Sequence, residues 1–480
     1  VQKRPPNSVS SLERLLLNTR RTHLFEEFKM TSLCRLLFLA FFVCLLASCA
    51  PAPSNSNTAV SQASPSPTAS PSPSPANTGT ASVQVTLPLL DALLTDEKFV
   101  NRAKQNVKLS DEQIESLKRV SSADIARLRE SNAEEMGGTD GNPRERAEQE
   151  LRTILGEEKA RELARFANEY WTKGDPSEAS DDKAQMLPGP NAVPTDTRVV
   201  VNIPAFRMDL FQDGSLVKSY KVGIGYPEFP LPQGLRKAQT IIFNPTWTPP
   251  DSPWVAKMKN VAPGETVPAG DKDNPLGAIK IPIGLPSLIH GGKSPAKIGK
   301  FASHGCVGLT NAQIKDFAVL LAQASNTQDV SSKLDSYLQD KERTQTVKLS
   351  QAVPVELRYE TIVLEDGKLH IYKDVYVQDT NTEENLRRVL EAHGVRLEDL
   401  SEQQRTEVLN ALNAMSASPQ AEPSPTASPD KKTAKKKAPA KPQNEVLIDL
   451  SNLQIAQKGY PAPVNLDTGS GSTKSAKRTT

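Results

Sequence analysis

The segment IHGGKSPAKIGKFASHGCVGL, residues 289–309, holds two of the chain's five histidines and one of its four cysteines. His290, His304 and Cys306 are three side chains that can do chemistry together. A thiol attacks a carbonyl as its thiolate, so a nucleophilic cysteine needs a group that takes or displaces its proton. A histidine about 3 Å away is the usual solution, itself oriented by a third group. His290 ends an apolar run, IPIGLPSLIH, that reads as a strand delivering a side chain to a rim. Gly305 lets the chain turn sharply ahead of Cys306. Such a turn aims successive backbone N–H groups at one point, which is what a tetrahedral oxyanion needs. A metal site built from the same three residues lacks an obvious fourth ligand.

Whether a lone cysteine means anything depends on its compartment. Residues 30–49 read MTSLCRLLFLAFFVCLLASC. Arg35 is a short positive start, and Leu36 to Leu46 is an apolar run that fits an export signal and is short for a membrane span. The run ends in Leu46-Ala47-Ser48-Cys49, which resembles a bacterial lipobox. That resemblance implies a signal peptide over 30–48, cleavage before Cys49 and acylation of its thiol. A simple anchor over Leu33 to Ala50 is the alternative. Residues 1–29 read as an upstream extension, with Met30 the first residue. Cys34 and Cys44 then leave with the signal, Cys49 carries lipid, and Cys306 is the one free thiol. Exported chains usually pair their cysteines, so a leftover thiol points to chemistry or intermolecular pairing.

The elements that must position the trio follow from pattern. With 480 residues, 37% hydrophobic content and 38 prolines, part of the chain is linker. A net charge of +2 gives no steering toward nucleic acid. Residues 49–83 are a Pro/Ser-rich tether, extended and disordered by composition. Residues 84–173 read as helices, one of them opened by a capping box of Ser110 with Gln113. A linker spans 174–195. Strand signals then begin: Val199, Val201 and Ile203 alternate, and Asp213-Gly214 marks a hairpin. A helical insert occupies 312–345. VPVELRYETIVLEDGKLHIYKDVY reads as strand–turn–strand around Asp366-Gly367. Short helices fill 378–415, the second capped by Ser401 with Gln404. Residues 416–480 form a low-complexity Lys/Pro-rich tail, solvated rather than a binding surface.

The segment quoted first resembles the active-site signature of L,D-transpeptidases of the YkuD type: His-Gly, a dozen or so residues, then Ser-His-Gly-Cys and an aliphatic residue. VVVNIPAFRMDLFQDGSLVKSYKVGIGYPEFPLPQG, NPTWTPP and NPLGA fall in that family's order, and the likeness covers 196–377. It implies a β-sandwich-like catalytic domain acting on peptidoglycan stem peptides, without cofactor or metal. Cys306 would be the nucleophile and His290 the base. The carbonyl of Gly291 would orient the imidazole. Amides around His304, Gly305 and Cys306 would form the oxyanion hole, and Ser303 with His304 would shape the loop. Carbapenem-type β-lactams would be inhibitors. Gly308 departs from the pattern, which usually carries Arg or Asn there. Lys293, Lys297 and Lys300 are the nearest cations in sequence to replace it. A sortase would need a different approach to its cysteine, and papain-like wall amidases place Cys before His.

The expectation is a multidomain α+β chain: a helical N-terminal region, the catalytic domain with its insert, and disordered linkers. It is expected to be lipid-anchored in the cell envelope, on the periplasmic side and with the outer membrane favoured, because Ala50 lacks an acidic retention signal. The alternative is a catalytically impaired wall-binding lipoprotein.

Overall fold

The computed structural model describes residues 85–130, 142–173, 185–250, 255, 258, 260–284, 287–416, 444–453, 455 and 459–470. All belong to one compact unit, Thr78–Thr480. The export signal, Cys49, the Pro/Ser tether and the Lys-rich stretch lie outside the described residues. Among the described residues no helix is long and apolar enough to cross a membrane.

Five helices come first: α1 (Leu87–Leu94), α2 (Glu97–Asn106), α3 (Asp111–Glu130), α4 (Pro143–Leu155) and α5 (Glu157–Lys173). Their starts are written in the sequence. Thr86, Asp96 and Asn142 cap α1, α2 and α4 through their side-chain oxygens. The Ser110–Gln113 box closes both ways, at 3.2 and 3.1 Å. Leu90, Phe99, Leu117 and Leu163 fill a core of their own.

The large sheet has eight strands in the order β3-β2-β1-β10-β5-β6-β7-β9. These are β1 (Arg198–Asn202), β2 (Arg207–Gln212), β3 (Ser215–Lys221), β5 (Gly234–Phe243), β6 (Ile279–Pro282), β7 (Leu288–His290), β9 (Val307–Gly308) and β10 (Gln345–Arg358). Val199, Val201 and Ile203 point into its core, as their alternation requires. Asp213 and Gly214 both take positive φ, the conformation a tight β2–β3 turn demands. Two pairings are parallel, β1 with β10 and β7 with β9. Helix α6 (Asn311–Ala324) packs Ile314, Phe317 and Leu321 onto the sheet, and α7 (Val330–Gln339) follows it. A short parallel pair, β4 (Ile224–Gly225) with β8 (Phe301–Ser303), lies beside the loop before Cys306.

The C-terminal third differs from the sequence expectation in three ways. The strand–turn–strand expected inside the catalytic domain is divided. Its first part is β10, in the middle of the large sheet. The hairpin β11 (Ile362–Glu365) and β12 (Lys368–Tyr372) instead forms a second sheet with β13 (Glu445–Asp449). Helices α8 (Glu383–Ala392) and α9 (Glu402–Ser416) cover that sheet with Leu386, Leu390, Val408 and Leu412. Beyond the hairpin the chain returns to the large sheet, where Val375 and Tyr376 join its core and Tyr376 OH donates to Gly225 O at 2.9 Å. Second, residues 416–480 are not all low-complexity tail. Beyond β13, residues 464–467 bond along Ser219 and Lys221 of β3 at 2.9 Å each and cover that edge. Third, part of the expected linker is anchored: the Asn191 side chain donates to Ile362 O and accepts from Leu364 N.

Arg207 joins the two sheets. It is buried, paired with Asp209 and Glu365, and donates to Pro461 O at 3.0 Å. Removing one partner of a buried pair strands the others, at a cost of about 3–5 kcal/mol. Arg207→Met should destabilise the chain by that order in a denaturant titration, leaving Asp209 and Glu365 buried without their cation.

Candidate active site

His290 ends β7, and Cys306 sits in the bend that leads into β9. The register pairs Ile289 with Val307 and His290 with Gly308, so the thiol lies two residues before the strand partner of His290. The charge of Lys293 acts on both groups.

His290 is buried, 3% exposed. Its Nδ1 lies 2.7 Å from the carbonyl oxygen of Gly291. A carbonyl only accepts, so Nδ1 carries the proton and Nε2 presents a lone pair. Burial, with the charge of Lys293 added, pushes the imidazole down to about 3, against the pull of the Gly291 and Leu276 carbonyls. The ring is neutral at any ordinary pH.

Cys306 is a free, half-buried thiol. Burial pushes its pKa up, while the Leu288 amide and the Lys293 charge pull it down. The loop before it is tightly held. Gly305 has φ +92°, so the sharp turn needs a glycine. Ser287 Oγ donates to Gly305 O at 2.9 Å, and Tyr226 N donates to Ser303 O at 2.9 Å. Gly225 lies so close beneath that a Cβ there would sit 2.1 Å from Phe229 O and 3.2 Å from Gly305 N. Ser303 is more than a loop-shaper. Its hydroxyl donates to Cys306 O and accepts from Cys306 N at 3.0 Å.

That last bond engages one of the amides expected to form an oxyanion hole. The Cys306 amide is already taken by Ser303 and is not an open donor in this state. Among the described residues, the Gly305 amide makes no hydrogen bond. The His304 ring turns away from the thiol into an aromatic pocket, 4.6 Å from Phe229 and 5.7 Å from Tyr226 between ring centres. It does not join Cys306 and His290 in a metal-like cluster.

The helical region reaches this loop from below. Trp171 Cη2 is 3.8 Å from where a Cβ on Gly305 would lie. Ile125 packs with Tyr226 and Phe229, and Thr86 Oγ1 donates to Glu228 O at 2.6 Å.

Residues 196–331 match the family model described as YkuD, the L,D-transpeptidase catalytic domain. That segment belongs to the YkuD family. Similar curated proteins include two probable L,D-transpeptidases of Escherichia coli K12. ErfK/SrfK is 32% identical over 126 residues, covering 24% of this chain and 38% of its own length. YbiS is 35% identical over 124 residues, covering 24% and 39%. The chain thus spans about two fifths of the length of the curated relatives it matches. Among solved structures, 35% of this chain covers all of the catalytic domain of the Enterococcus faecium L,D-transpeptidase, at 16% identity and a TM-score of 0.23. An L,D-transpeptidase from Mycobacterium tuberculosis H37Rv is covered over 57% of its chain by 34% of this one, at 14% identity and a TM-score of 0.20.

Within the YkuD domain, the space above Gly308 is filled. A Cβ there would lie 2.7 Å from Lys293 Cγ and 2.8 Å from its Cε. Lys293 is fixed by its backbone, whose N–H donates to Leu309 O at 3.0 Å. Its stem lies across Gly308, and its charge acts on both His290 and Cys306. Lys297 and Lys300 are exposed. Of three lysines that were equivalent by spacing, the fold selects one. Sequence reading also passed over Asn311, whose Oδ1 accepts from Ala278 N and Gly292 N at 3.0 Å each and braces the turn after His290. Its position at the start of a helix, next to Thr310, offered a weak signal.

Lys293→Met removes a charge that holds the thiol pKa down. The pH profile for alkylation of Cys306 by iodoacetamide, read by peptide mass mapping, should therefore move to higher pH. Gly308→Ala should displace Lys293 and shift the profile the same way. The double variant should exceed either single one by little, since both act through one ammonium group.

Proposed function

We propose that the chain is a peptidoglycan L,D-transpeptidase with Cys306 as nucleophile and His290 as general base. The observation that carries this is the β7–β9 register, which sets His290 beside Gly308, two residues after Cys306, with Nδ1 of His290 fixed on Gly291 O. As Cys306 Sγ attacks the carbonyl carbon of the third stem-peptide residue, its proton passes to His290 Nε2. Charge develops on the carbonyl oxygen, and the Gly305 amide, with the backbone of His304, is the donor set beside it. Ser303 holds the Cys306 backbone in place. Collapse expels D-alanine, whose amine leaves with the proton from His290. The thioester is then attacked by an acceptor amine, which gives its proton to His290 and forms an amide. A 3→3 cross-link or an attached protein results, and the thiol is restored.

A neutral imidazole and a thiol raised by burial set the pH dependence. The thiol keeps its proton until the ring takes it, and His290 stays neutral down to about 3. Turnover should vary little with pH through the neutral range, with no acid limb near 6.5 of the kind an ordinary histidine gives. Cys306→Ala should abolish release of D-alanine from a disaccharide-tetrapeptide, scored by mass spectrometry, while His290→Ala should slow it about 10²-fold or more. Undiminished turnover by Cys306→Ala would refute the mechanism. Binding of peptidoglycan without any turnover would return the chain to the wall-binding alternative. The same nucleophile makes carbapenem-type β-lactams, which are strained acyl donors, its inhibitors.

We extend the proposal to location. The Leu46-Ala47-Ser48-Cys49 sequence supports a lipid anchor at Cys49, on the periplasmic side of the outer membrane, with the Pro/Ser tether as spacer. Cys49→Ser should move the protein from the membrane to the soluble fraction. Absence of labelled fatty acid on the wild type would leave only the simple anchor.

A further inference from the structure

Arg236 on β5 is a buried cation without a counter-charge. It is 7% exposed, and its Nε and Nη2 are buried with no hydrogen-bond partner. Burial alone acts on its pKa, pushing it down to about 10, so it is charged at neutral pH. Three other buried arginines of the same domain behave differently. Arg198 meets Asp196 and Glu356, Arg207 meets Asp209 and Glu365, and Arg358 meets Glu356. Among the described residues, Arg236 is the buried arginine of this sheet without a carboxylate partner. An uncompensated buried charge is unfavourable, and a missing anionic partner resolves it.

The place of Arg236 indicates which partner. Its Nη1 is 3.3 Å and its Cδ 3.7 Å from where a Cβ on Gly284 would lie. Gly284 O accepts from Ser287 N at 2.9 Å, and Ser287 Oγ holds Gly305 O at 2.9 Å. The guanidinium therefore sits beside the turn that supports the Cys306 loop. Trp171 also approaches that loop, its Cη2 3.8 Å from a Cβ position on Gly305; it is 5% exposed, with its indole Nε1 buried and unpartnered. Its neighbour Thr172 packs against Gly234, two residues before Arg236, so α5 ends at the same edge of the sheet. Two buried donors thus flank one loop with no acceptor for either.

We propose that Arg236 anchors a carboxylate-binding subsite beside the Cys306 loop, with Trp171 at its flank. A planar fork of donors suits a planar carboxylate, bound through paired charge-assisted hydrogen bonds. The ligand class, a free carboxylate of a peptide acyl donor, rests on the function proposed above. The subsite itself does not depend on turnover.

The test uses the full chain with Arg236→Met and Arg236→Lys, and an N-acetylated dipeptide offered either as its free carboxylate or as its amide. The free carboxylate should raise the melting temperature of the wild type and of Arg236→Lys, the amide should not, and Arg236→Met should lose the effect. In the absence of ligand, Arg236→Met should melt at or above the wild-type temperature, since it removes an unpaired buried charge. Iodoacetamide should alkylate Cys306 at the same rate in all three proteins. With the tetrapeptide donor, Arg236→Met should raise KM by roughly 10- to 150-fold with kcat little changed. A carboxylate-specific melting shift without any turnover supports the subsite and counts only against the transferase reading. A ligand-free Arg236→Met that melts well below the wild type, or equal shifts by carboxylate and amide, overturns the subsite.

Discussion

The site depends on a parallel ladder only two residue pairs long. Parallel neighbours cannot be joined by a tight turn. They need a crossover of a dozen or more residues. Residues 291–306 are that crossover, which is why His290 and Cys306 stand apart in sequence and together in space. The crossover contains no long helix. Instead it is pinned piecewise: a short 3₁₀ turn at Pro295–Lys297, β8 against β4, and backbone bonds from Gly299 N to Val222 O and between Gly223 and Gly308. Each pin lowers the freedom of a loop that would otherwise place the thiol anywhere over several ångströms.

Burial and charge then oppose one another at the thiol. Burial disfavours both the thiolate and the imidazolium, so the resting pair keeps its proton on sulfur. Lys293 pulls the thiol toward ionisation and pushes the ring away from it. A cation there steadies negative charge on sulfur and disfavours positive charge on the ring. Gly308 is part of the same device, because any larger side chain would contend with the lysine stem for one space.

Much of this was legible. The alternation of Val199, Val201 and Ile203, the Asp213-Gly214 turn and both Ser/Gln capping boxes are local signals, and local physics decided them. The signature around Cys306 is a local signal too, because its residues lie on one crossover and the strand end before it. What stayed hidden was long-range. β13 pairs with β12 across some seventy residues, and its five-residue sequence carries no mark of that partner. Ser303 looked like a loop residue, yet its hydroxyl closes a three-residue ring on Cys306 and occupies an amide assigned elsewhere. The three lysines were indistinguishable until the fold laid one across Gly308. Arg236, in an otherwise ordinary strand, became conspicuous only by comparison with its paired neighbours.

The position of β10 bears on what counts as a unit. It is the central strand of the large sheet, with β1 on one side and β5 on the other. Yet it begins at Gln345, after the segment that matches the YkuD model has ended at 331. A chain cut at that limit would leave β1 and β5 as two open edges facing a gap, each with a row of unpaired N–H and C=O groups. The segment that matches the family model is therefore smaller than the sheet it belongs to, and the strand it lacks is a central one.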